Sequence, residues 1–353
     1  MTPRRILIAH ERFAPDVGGG GELVVLEVAR GLAAAGHAVR VICAGDAALT
    51  QHDGQPTERS GGGRYAFNLQ LWRLMRGARN ADIIQAFNYH AALPAWAAAR
   101  LTGTPIITCM LGLFGPAWLG MKGPLMGRAF EAFERLIVSR RYDRTVFLSQ
   151  SSLEMGVAMG APRATSRVLP PGIDARQIRT GPKAGPLVVF AGLFDVRKGV
   201  ELVLEAARAF PDTRFRLLGW GPRSAEITAA APPNAEVISG RAHDTYWQAL
   251  GEGTIFLFPS YAETFGLVVA EAMASGCAVL SSVDTIDFAG VRFPAGDGAA
   301  MRKALGELLS EPIRVAAMGA ENRARAAAFT WTQHLTGLEA LYDEVLAETG
   351  RRS

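Results

Sequence analysis

The chain has 353 residues, and at about 150 residues per domain this length predicts two domains. Apolar residues make up 49% of the chain and charged residues 20%, which excludes a wholly disordered chain and a collagen-like one. The net charge is +4, but residues 1–180 carry 21 basic and 13 acidic side chains, whereas residues 181–353 carry 16 and 20. The basic first half indicates an anionic partner, unless it only reflects an arginine-rich composition.

The cysteines and the first residues indicate a cellular location. Cys43, Cys109 and Cys277 lie far apart and form no CxxC pair, which is typical of a reducing cytoplasm. The first apolar run, residues 6–9, is shorter than the roughly 7–15 residues of a signal peptide or the about 20 of a membrane span. We therefore expect a cytoplasmic protein that can associate with the inner face of the cell membrane.

The first half of the chain follows the pattern of a parallel α/β sheet. A strand at 5–9 leads through the glycine loop 18–21 into an apolar helix, and a second strand follows at 38–43. The polar, glycine-rich segment 52–64 is expected to be a surface loop. Further strands are predicted at 82–86, 105–109 and 145–149.

A segment rich in proline and glycine, 167–186, is predicted to link two domains. After it the α/β pattern starts again. We expect a first domain at 1–180, a second at 181–330 and a closing helical segment at 331–353. In open α/β sheets ligands bind beyond the carboxyl ends of the strands. The predicted strands of the second domain are 186–192, 214–219, 235–239, 254–260 and 277–282, and its predicted helices are 199–209, 267–275, 298–310 and 312–328.

The motif ETFGLVVAEAMASG begins at Glu263, at the end of a predicted strand. The helix after it exposes unpaired amides that favour an anion such as phosphate. Glu263 lies in the loop beside these amides, and Glu271 lies inside the helix. A carboxylate accepts two hydroxyl hydrogen bonds and so suits a sugar diol. The alternative is a helix cap with a glutamate that faces solvent.

A basic turn, Arg197-Lys198-Gly199, follows the predicted strand 186–192. Fixed cations at such a place stabilise the charge that grows on a departing nucleoside diphosphate. A solvated basic turn is the alternative. The loop of Gly19, Gly20 and Gly21 allows close approach of a ligand to the backbone, or else acts only as a flexible hinge.

These motifs together resemble those of the retaining GT-B glycosyltransferases of family four. The stretch Glu263 to Glu271 is similar to the E-x7-E signature of that family, and 191–207 is similar to its diphosphate-binding segment. Similarity extends over about four-fifths of the chain. The resemblance implies an α/β fold of the GT-B type: two Rossmann-like domains that face each other across a cleft, with a C-terminal helix that crosses back to the first domain.

The resemblance also implies a function, which is transfer of a sugar from a nucleoside diphosphate, most often UDP, to an acceptor hydroxyl with retention of configuration. It implies no metal and no bound cofactor, since the nucleotide sugar is a co-substrate. Glu263, Arg197 and Lys198 would have catalytic roles. The implied donor contacts are Gly19, Gly20, Gly21, Arg197, Lys198, Gly240, Arg241, Thr264, Phe265, Gly266, Leu267 and Glu271.

The chain departs from the family pattern at two positions. Leu193 stands where an arginine usually follows the glycine, and Leu111 stands where a histidine is common. A catalytically silent nucleotide-sugar-binding protein and a GT-B sugar-nucleotide epimerase therefore remain as alternatives. His10 and His90 also end first-domain strands, and each has an acceptor-side or a purely structural interpretation.

Partners are indicated only by charge and composition. The segment 112–144 combines Trp, Phe, Met and Leu with lysine and arginine, as a surface at an anionic membrane does. A core helix with a basic solvent face is the alternative. The basic first half favours a lipid-linked or anionic acceptor, within the biosynthesis of a surface polysaccharide or glycolipid. No metal-ligand spacing and no nucleic-acid pattern is present in the sequence.

Overall fold

The computed structural model describes residues 2–16, 19–181, 183–239 and 243–350, which form two compact units. Unit 1 comprises Met1–Gly172 and Trp331–Ser353, and unit 2 comprises Ile173–Thr330. We predicted the division after residue 180, whereas residues 173–180 belong to the second unit. The reason is a parallel bridge between Ile173 and Thr330, supported by a hydrogen bond of 3.0 Å from the Ile173 amide to the Phe329 carbonyl.

Unit 1 is built on a mixed sheet whose order is β3-β4-β2-β1-β5-β6-β7-β8. All neighbouring strands are parallel except β3 and β4. The central strands are apolar throughout, as expected of a parallel sheet covered on both faces. The strands are β1 (Arg5–Ala9), β2 (Ala38–Cys43), β3 (Gln51–His52), β4 (Gln55–Arg59), β5 (Ile83–Phe87), β6 (Ile106–Met110), β7 (Arg144–Phe147) and β8 (Ser166–Val168).

Six helices belong to the described part of unit 1: α1 (Gly20–Ala34), α2 (Leu71–Ala78), α3 (Ala92–Thr102), α4 (Ala117–Val138), α5 (Gln150–Ala158) and the closing helix, Trp331–Glu348. The closing helix is held by buried polar contacts. The Tyr342 hydroxyl donates to Gln85 Oε1 at 3.0 Å, and His37 Nε2 lies 2.9 Å from Glu339 Oε1. The predicted return of the last helix to the first domain agrees with these contacts.

Unit 2 is a parallel sheet of the order β11-β10-β9-β12-β13-β14. Its strands are β9 (Leu187–Leu193), β10 (Arg214–Trp220), β11 (Ala235–Ser239), β12 (Ile255–Phe258), β13 (Ala278–Ser281) and β14 (Gly290–Arg292). Its helices are α6 (Val200–Ala209), α7 (Ser224–Ala230), α8 (His243–Glu252), α9 (Leu267–Ala274), α10 (Gly298–Ser310) and α11 (Pro312–Ala326), so that the closing helix of unit 1 is α12.

The segment 52–64 is not only the surface loop that we predicted. It contains β4, which pairs in parallel with β2 and antiparallel with β3. Arg59 ends β4 and is buried, because its guanidinium donates to the carbonyls of Phe13 and Ala14. The strand β4 was not predicted because its residues are mostly polar, and one of its buried side chains is an arginine.

Helix α4 carries the basic, aromatic segment singled out in the sequence. It breaks at Gly123, where φ is 74°, and Pro124 follows. Its buried residues include Glu134 and Ile137, whereas Leu125 is 82% exposed. Neither interpretation of this helix, core or membrane surface, is complete. Ile137 and Val138 belong to the hydrophobic core of unit 1, whereas Leu125 bears an apolar side chain in solvent.

Candidate functional site

The site in unit 2 is formed where two adjacent strands end. Strands β9 and β12 pair in parallel through Val188–Ile255 and Val189–Phe256. The chain leaves β9 through a short 3-10 turn, Val196–Lys198, and leaves β12 through the loop 259–266 that precedes α9. These two connections are joined by the Tyr261 amide, which donates to the Arg197 carbonyl at 2.8 Å.

Two glycines allow this close approach. Gly199 has φ of 63°, and a Cβ there would lie 2.3 Å from the Pro259 carbonyl oxygen. Gly266 has φ of 87° at the start of α9. Side chains other than glycine are strained at such angles, so the local sequence fixes how the two loops meet.

Arg197, Lys198 and Glu263 form one ionic cluster at the carboxyl ends of β9 and β12. The Arg197 guanidinium lies 3.1 Å from Glu263 Oε1, and the Lys198 ammonium pairs with the same oxygen. The Ser260 hydroxyl donates to that oxygen at 2.8 Å. Glu263 therefore holds both cations in place, a role that its position in the sequence did not indicate.

The pKa values of both Lys198 and Glu263 lie below their ordinary values. Burial lowers the pKa of Lys198, and Arg197 adds to this lowering while Glu263 opposes it. Burial also acts against the charge of Glu263, but Lys198 and Arg197 outweigh it and hold the pKa of Glu263 below its ordinary value. The Lys198 ammonium also lies 5.0 Å from the centre of the Phe258 ring. A buried, positioned cation of this kind is suited to bind an anion.

Residues 264–267 place the start of α9 beside the cluster. Thr264 and Phe265 are buried, and the Thr285 hydroxyl donates to the Phe265 carbonyl at 2.5 Å. The first amides of a helix have no partner within that helix, and the helix dipole makes this end positive. The predicted contacts Thr264, Phe265 and Gly266 therefore lie on the same loop as Glu263, and Leu267 is the first residue of α9.

Glu271 lies on α9 and meets a residue that the sequence did not single out. The Tyr246 hydroxyl, on α8, donates to Glu271 Oε2 at 2.5 Å. Burial raises the pKa of Glu271 from 4.5 to about 7, although this hydrogen bond opposes the rise. Burial and the Glu271 carboxylate raise the pKa of Tyr246 well above its ordinary value. Since Tyr246 is distant in sequence, no local signal could have paired it with Glu271.

A second missed residue, Asp195, shapes the basic turn. Its carboxylate accepts the Lys198 amide at 3.1 Å and so caps the turn. The aspartate three residues before Lys198 was a signal that sequence reasoning could have used. Leu193, the departure from the family pattern, ends β9 and pairs with Trp220. The predicted contacts Gly240 and Arg241 lie outside the described residues.

Unit 1 has its own polar site at the carboxyl ends of β1 and β2. Glu11 is buried and accepts hydrogen bonds from the Arg64 guanidinium at 3.2 Å and from the Tyr89 and His90 amides at 3.3 and 3.2 Å. Burial opposes its charge, but His10, Arg64 and His90 hold the pKa of Glu11 below its ordinary value. Beside it is a cavity of about 490 Å³, lined by Glu11, Arg12, Asp16, Asp46 and Arg64 among others.

The histidines and the glycine loop of unit 1 have structural partners. His90 lies 2.9 Å from the Asn68 amide nitrogen, and its ring contacts Tyr65 and Phe133. Gly20 and Gly21 lie in the first turn of α1 rather than in a loop, and Gly19 caps that helix. A Cβ on Gly21 would lie 3.6 Å from Leu111. Donor contacts by Gly19, Gly20 and Gly21 stay a prediction.

Two family models match the chain. The model described as "Glycosyltransferase Family 4" matches residues 18–177, and the model described as "Glycosyl transferases group 1" matches residues 185–311. The chain belongs to the family 4 glycosyltransferases. This confirms the resemblance inferred from Glu263, Glu271 and the basic turn.

One relative and two solved structures illustrate the likeness. The chain is 27% identical over 256 residues to the D-inositol 3-phosphate glycosyltransferase of Nocardia farcinica, which aligns with 62% of this chain and 56% of the relative. The chain thus spans about half the length of that protein. Sucrose-phosphate synthase from Thermosynechococcus elongatus superimposes with a TM-score of 0.81 at 20% identity, over 98% of this chain and 100% of the other. HepE from Anabaena, solved with UDP-glucose, gives a TM-score of 0.78 at 17% identity, over 97% and 100%. These structures show the fold, and the predicted GT-B class is confirmed.

No helix of the described chain is long and apolar enough to cross a membrane. No group of three or more His, Cys, Asp or Glu side chains within those residues is arranged to hold a metal ion.

Proposed function

We propose that this glycosyltransferase takes its sugar from a nucleoside diphosphate, UDP in the first place, and binds that donor at the carboxyl end of the unit 2 sheet. The observation that carries the proposal is the ionic cluster of Arg197, Lys198 and Glu263 beside the start of α9. Arg197 and Lys198 bring a guanidinium and an ammonium beside the first amides of α9, and such charged donors suit a diphosphate. HepE, which has the same fold, was solved with UDP-glucose, and this supports the choice of UDP.

The proposed chemistry is stabilisation of the leaving diphosphate. As the glycosidic bond breaks, negative charge grows on the diphosphate, and Lys198, Arg197 and the first amides of α9 stabilise it. In a low-dielectric site such fixed charges act more strongly than in water. We assign this role to the side chains themselves, without a metal or a bound cofactor.

The remaining contacts follow from the same arrangement. Glu271, oriented by Tyr246, would accept the ribose hydroxyls, and Glu263 would contact the transferred sugar in addition to holding the cations. We propose retention of configuration, with the acceptor hydroxyl attacking on the face that the diphosphate leaves. The leaving phosphate would then accept the proton of that hydroxyl.

We further propose that the acceptor binds in unit 1 and is lipid-linked or anionic. The cavity beside Glu11 offers arginines and carboxylates for hydroxyl and anionic groups. On α4, Leu125 and Met126 are 82% and 53% exposed, and Lys122 and Arg128 are exposed on the same helix. Such a surface fits an anionic membrane, and this would place the enzyme at the inner face of the cell membrane in glycan or glycolipid synthesis.

Donor binding is tested by thermal shift with UDP, GDP, ADP and their common sugars, with and without magnesium. A ligand that binds only the folded chain raises its melting temperature by mass action. A shift with one nucleotide class that does not depend on magnesium supports the donor site. No shift with any nucleotide contradicts it. Co-sedimentation with anionic vesicles at low salt tests the membrane contact, and failure to sediment would remove it.

Leu193 favours one alternative, a nucleotide-sugar-binding protein without turnover. It replaces the arginine usual in the family with an apolar side chain at the end of β9. This alternative expects a thermal shift with a nucleotide sugar but no release of nucleoside diphosphate when mixed acceptors are added. Release of the diphosphate that depends on an acceptor distinguishes the transferase. Conversion of the nucleotide sugar without any acceptor would instead indicate an epimerase.

A further inference from the structure

A cavity of unit 2 lies at the edge of the sheet opposite the proposed donor site. Pro186 precedes β9, Thr254 precedes β12 and Gly276 precedes β13, and all three line the cavity. They mark the amino-terminal ends of strands whose carboxyl ends bear the ionic cluster. The volume is about 470 Å³, which lies in the range of about 300–1,000 Å³ typical of small-molecule sites.

The walls of this cavity are apolar. Ile255 and Leu308 are buried and line it from β12 and α10, and Val315 lines it from α11. Ala316 and Ala320, on α11, line its exposed mouth. The cavity is therefore reached from solvent and offers a hydrocarbon surface inside.

The charged residues of the lining are both cations, Lys183 and Arg323. The Lys183 ammonium donates to the carbonyls of Gly253 and Ser275, at 3.2 Å for the latter. An ammonium has three donors, so one is left for a ligand. Burial lowers the pKa of Lys183, and the nearby charge of Arg323 lowers it further. Both cations line the same cavity, so both can act on one anion.

Arg323 lies directly over the turn that ends α9. A Cβ on Gly276 would lie 2.3 Å from its Nη2 atom, and Gly276 has φ of 76°. Within the part of the chain that the structure describes, the Arg323 guanidinium makes no hydrogen bond and no ion pair. Its five donors are therefore available beside an apolar cavity.

We propose that this cavity binds an amphiphilic anion, with its head between Lys183 and Arg323 and its apolar body against Leu308 and Val315. Lys183 also neutralises the carbonyls at the ends of α8 and α9, as cations at helix C-termini do. That structural role does not account for the apolar walls of the cavity or for the second, exposed cation, Arg323, beside them. The site is separate from the proposed donor site and does not rest on it.

The test is binding of decanoate to the full chain, measured by titration calorimetry below the micellar concentration. Decanol and acetate represent the apolar body and the head alone, and decyl phosphate replaces the carboxylate with a phosphate head. We expect saturable binding of decanoate to one site. Decanol and acetate should each bind at least about tenfold more weakly, because each lacks one half of the contacts.

Two variants locate the binding. Arg323→Gln should weaken decanoate binding about tenfold, the usual loss for a charged hydrogen bond, and Ala316→Phe should block the exposed mouth. Arg314→Gln and Ala317→Phe are matched controls on the same helix, outside the cavity lining, and should bind as the native chain does. UDP binding is measured in all four, and we expect it unchanged.

Three results would overturn the proposal. The first is no saturable binding of decanoate or decyl phosphate, and the second is binding of decanol as tight as that of decanoate. The third is a loss of decanoate binding in the two control variants as large as in the two cavity variants. Preference for decyl phosphate over decanoate would support the site and assign its head group as phosphate. Because UDP binding is followed separately, loss of the donor site and loss of this site are distinguished.

Discussion

Replacing Glu271 by glutamine should stabilise unit 2 at alkaline pH while it weakens donor binding. Glu271 is enclosed on α9, with burial raising its pKa from 4.5 to about 7. Glutamine has the shape of the protonated carboxyl group and retains an acceptor for the Tyr246 hydroxyl. The variant therefore removes a buried charge without removing the contact.

The size and the sign of the change in folding stability follow from the raised pKa of Glu271. Below pH of about 4.5 the folded and unfolded chains both carry the proton on Glu271. As the pH rises from there to about 7, the unfolded chain loses the proton first, so the folded chain loses stability, and this loss is complete above pH 7. A tenfold change in an ionisation equilibrium corresponds to about 1.4 kcal/mol, so the full loss is roughly 3 kcal/mol.

Thermal unfolding at pH 4.5, 6, 7 and 8 measures this difference. For a unit of this size, roughly 3 kcal/mol corresponds to a difference of roughly 6–12 °C in melting temperature. The melting temperature of Glu271→Gln should exceed that of the native chain at pH 8, and the two melting temperatures should be equal at pH 4.5. Glu307→Gln, on the exposed face of α10, is the control and should show no such trend.

Donor binding should change in the opposite direction. If Glu271 accepts both ribose hydroxyls, the glutamine variant should bind UDP about tenfold more weakly at pH 8, since it loses a charged hydrogen bond. The binding of UDP to the native chain should strengthen between pH 6 and 8. Equal melting temperatures at pH 8 would refute the buried charge, and unchanged UDP affinity would refute the ribose contact.

Three further predictions concern the cations, the turn and the closing helix. Lys198→Ala should weaken UDP binding by ~1–3 kcal/mol because it removes a charged hydrogen bond, whereas Lys303→Ala on α10 should not; equal affinities in a calorimetric titration would contradict the site. Gly199→Ala should lower the urea midpoint of unit 2, because the Cβ would lie 2.3 Å from the Pro259 carbonyl at a positive φ; an unchanged midpoint would contradict the geometry of the two loops. Tyr342→Phe should destabilise unit 1 by ~1 kcal/mol, because Gln85 Oε1 loses its donor. Chemical denaturation measures this change, and an unaltered midpoint would show that the buried bond contributes nothing.

Five of the six strands of unit 2 were predictable as short, largely apolar runs bounded by glycine or proline, whereas β14, α7 and α8 were not predicted. The ends of β9 and β12 carry Arg197, Lys198 and Glu263, and the rule that parallel strands end at one edge predicts that they meet. The structure brings these three side chains into one cluster. The order of the strands therefore accounts for the nearness of the three residues, but the pairing of both cations with Glu263 was not predicted.

Tyr246, Glu11 and β4 were not predictable in the same way. Tyr246 reaches Glu271 from another helix, and Glu11 is stabilised by amides of residues 89 and 90, distant in the chain. Arg59 is buried through carbonyls of residues 13 and 14. In each case a polar side chain is paired through tertiary contacts, and such pairing leaves no periodic signal in the sequence.

The balance of charge in the unit 2 cluster shows what Glu263 does for the folded chain. Lys198 is buried and Arg197 is partly buried, and two such cations without a carboxylate would carry a large desolvation cost. Glu263, shared by both cations, offsets that cost, and the Asp195 carboxylate also acts on Lys198. The positive end of the α9 dipole lies beside the cluster. Under the proposed function, a bound diphosphate would compete with these carboxylates for the donors of Arg197 and Lys198, and it would also meet the first amides of α9.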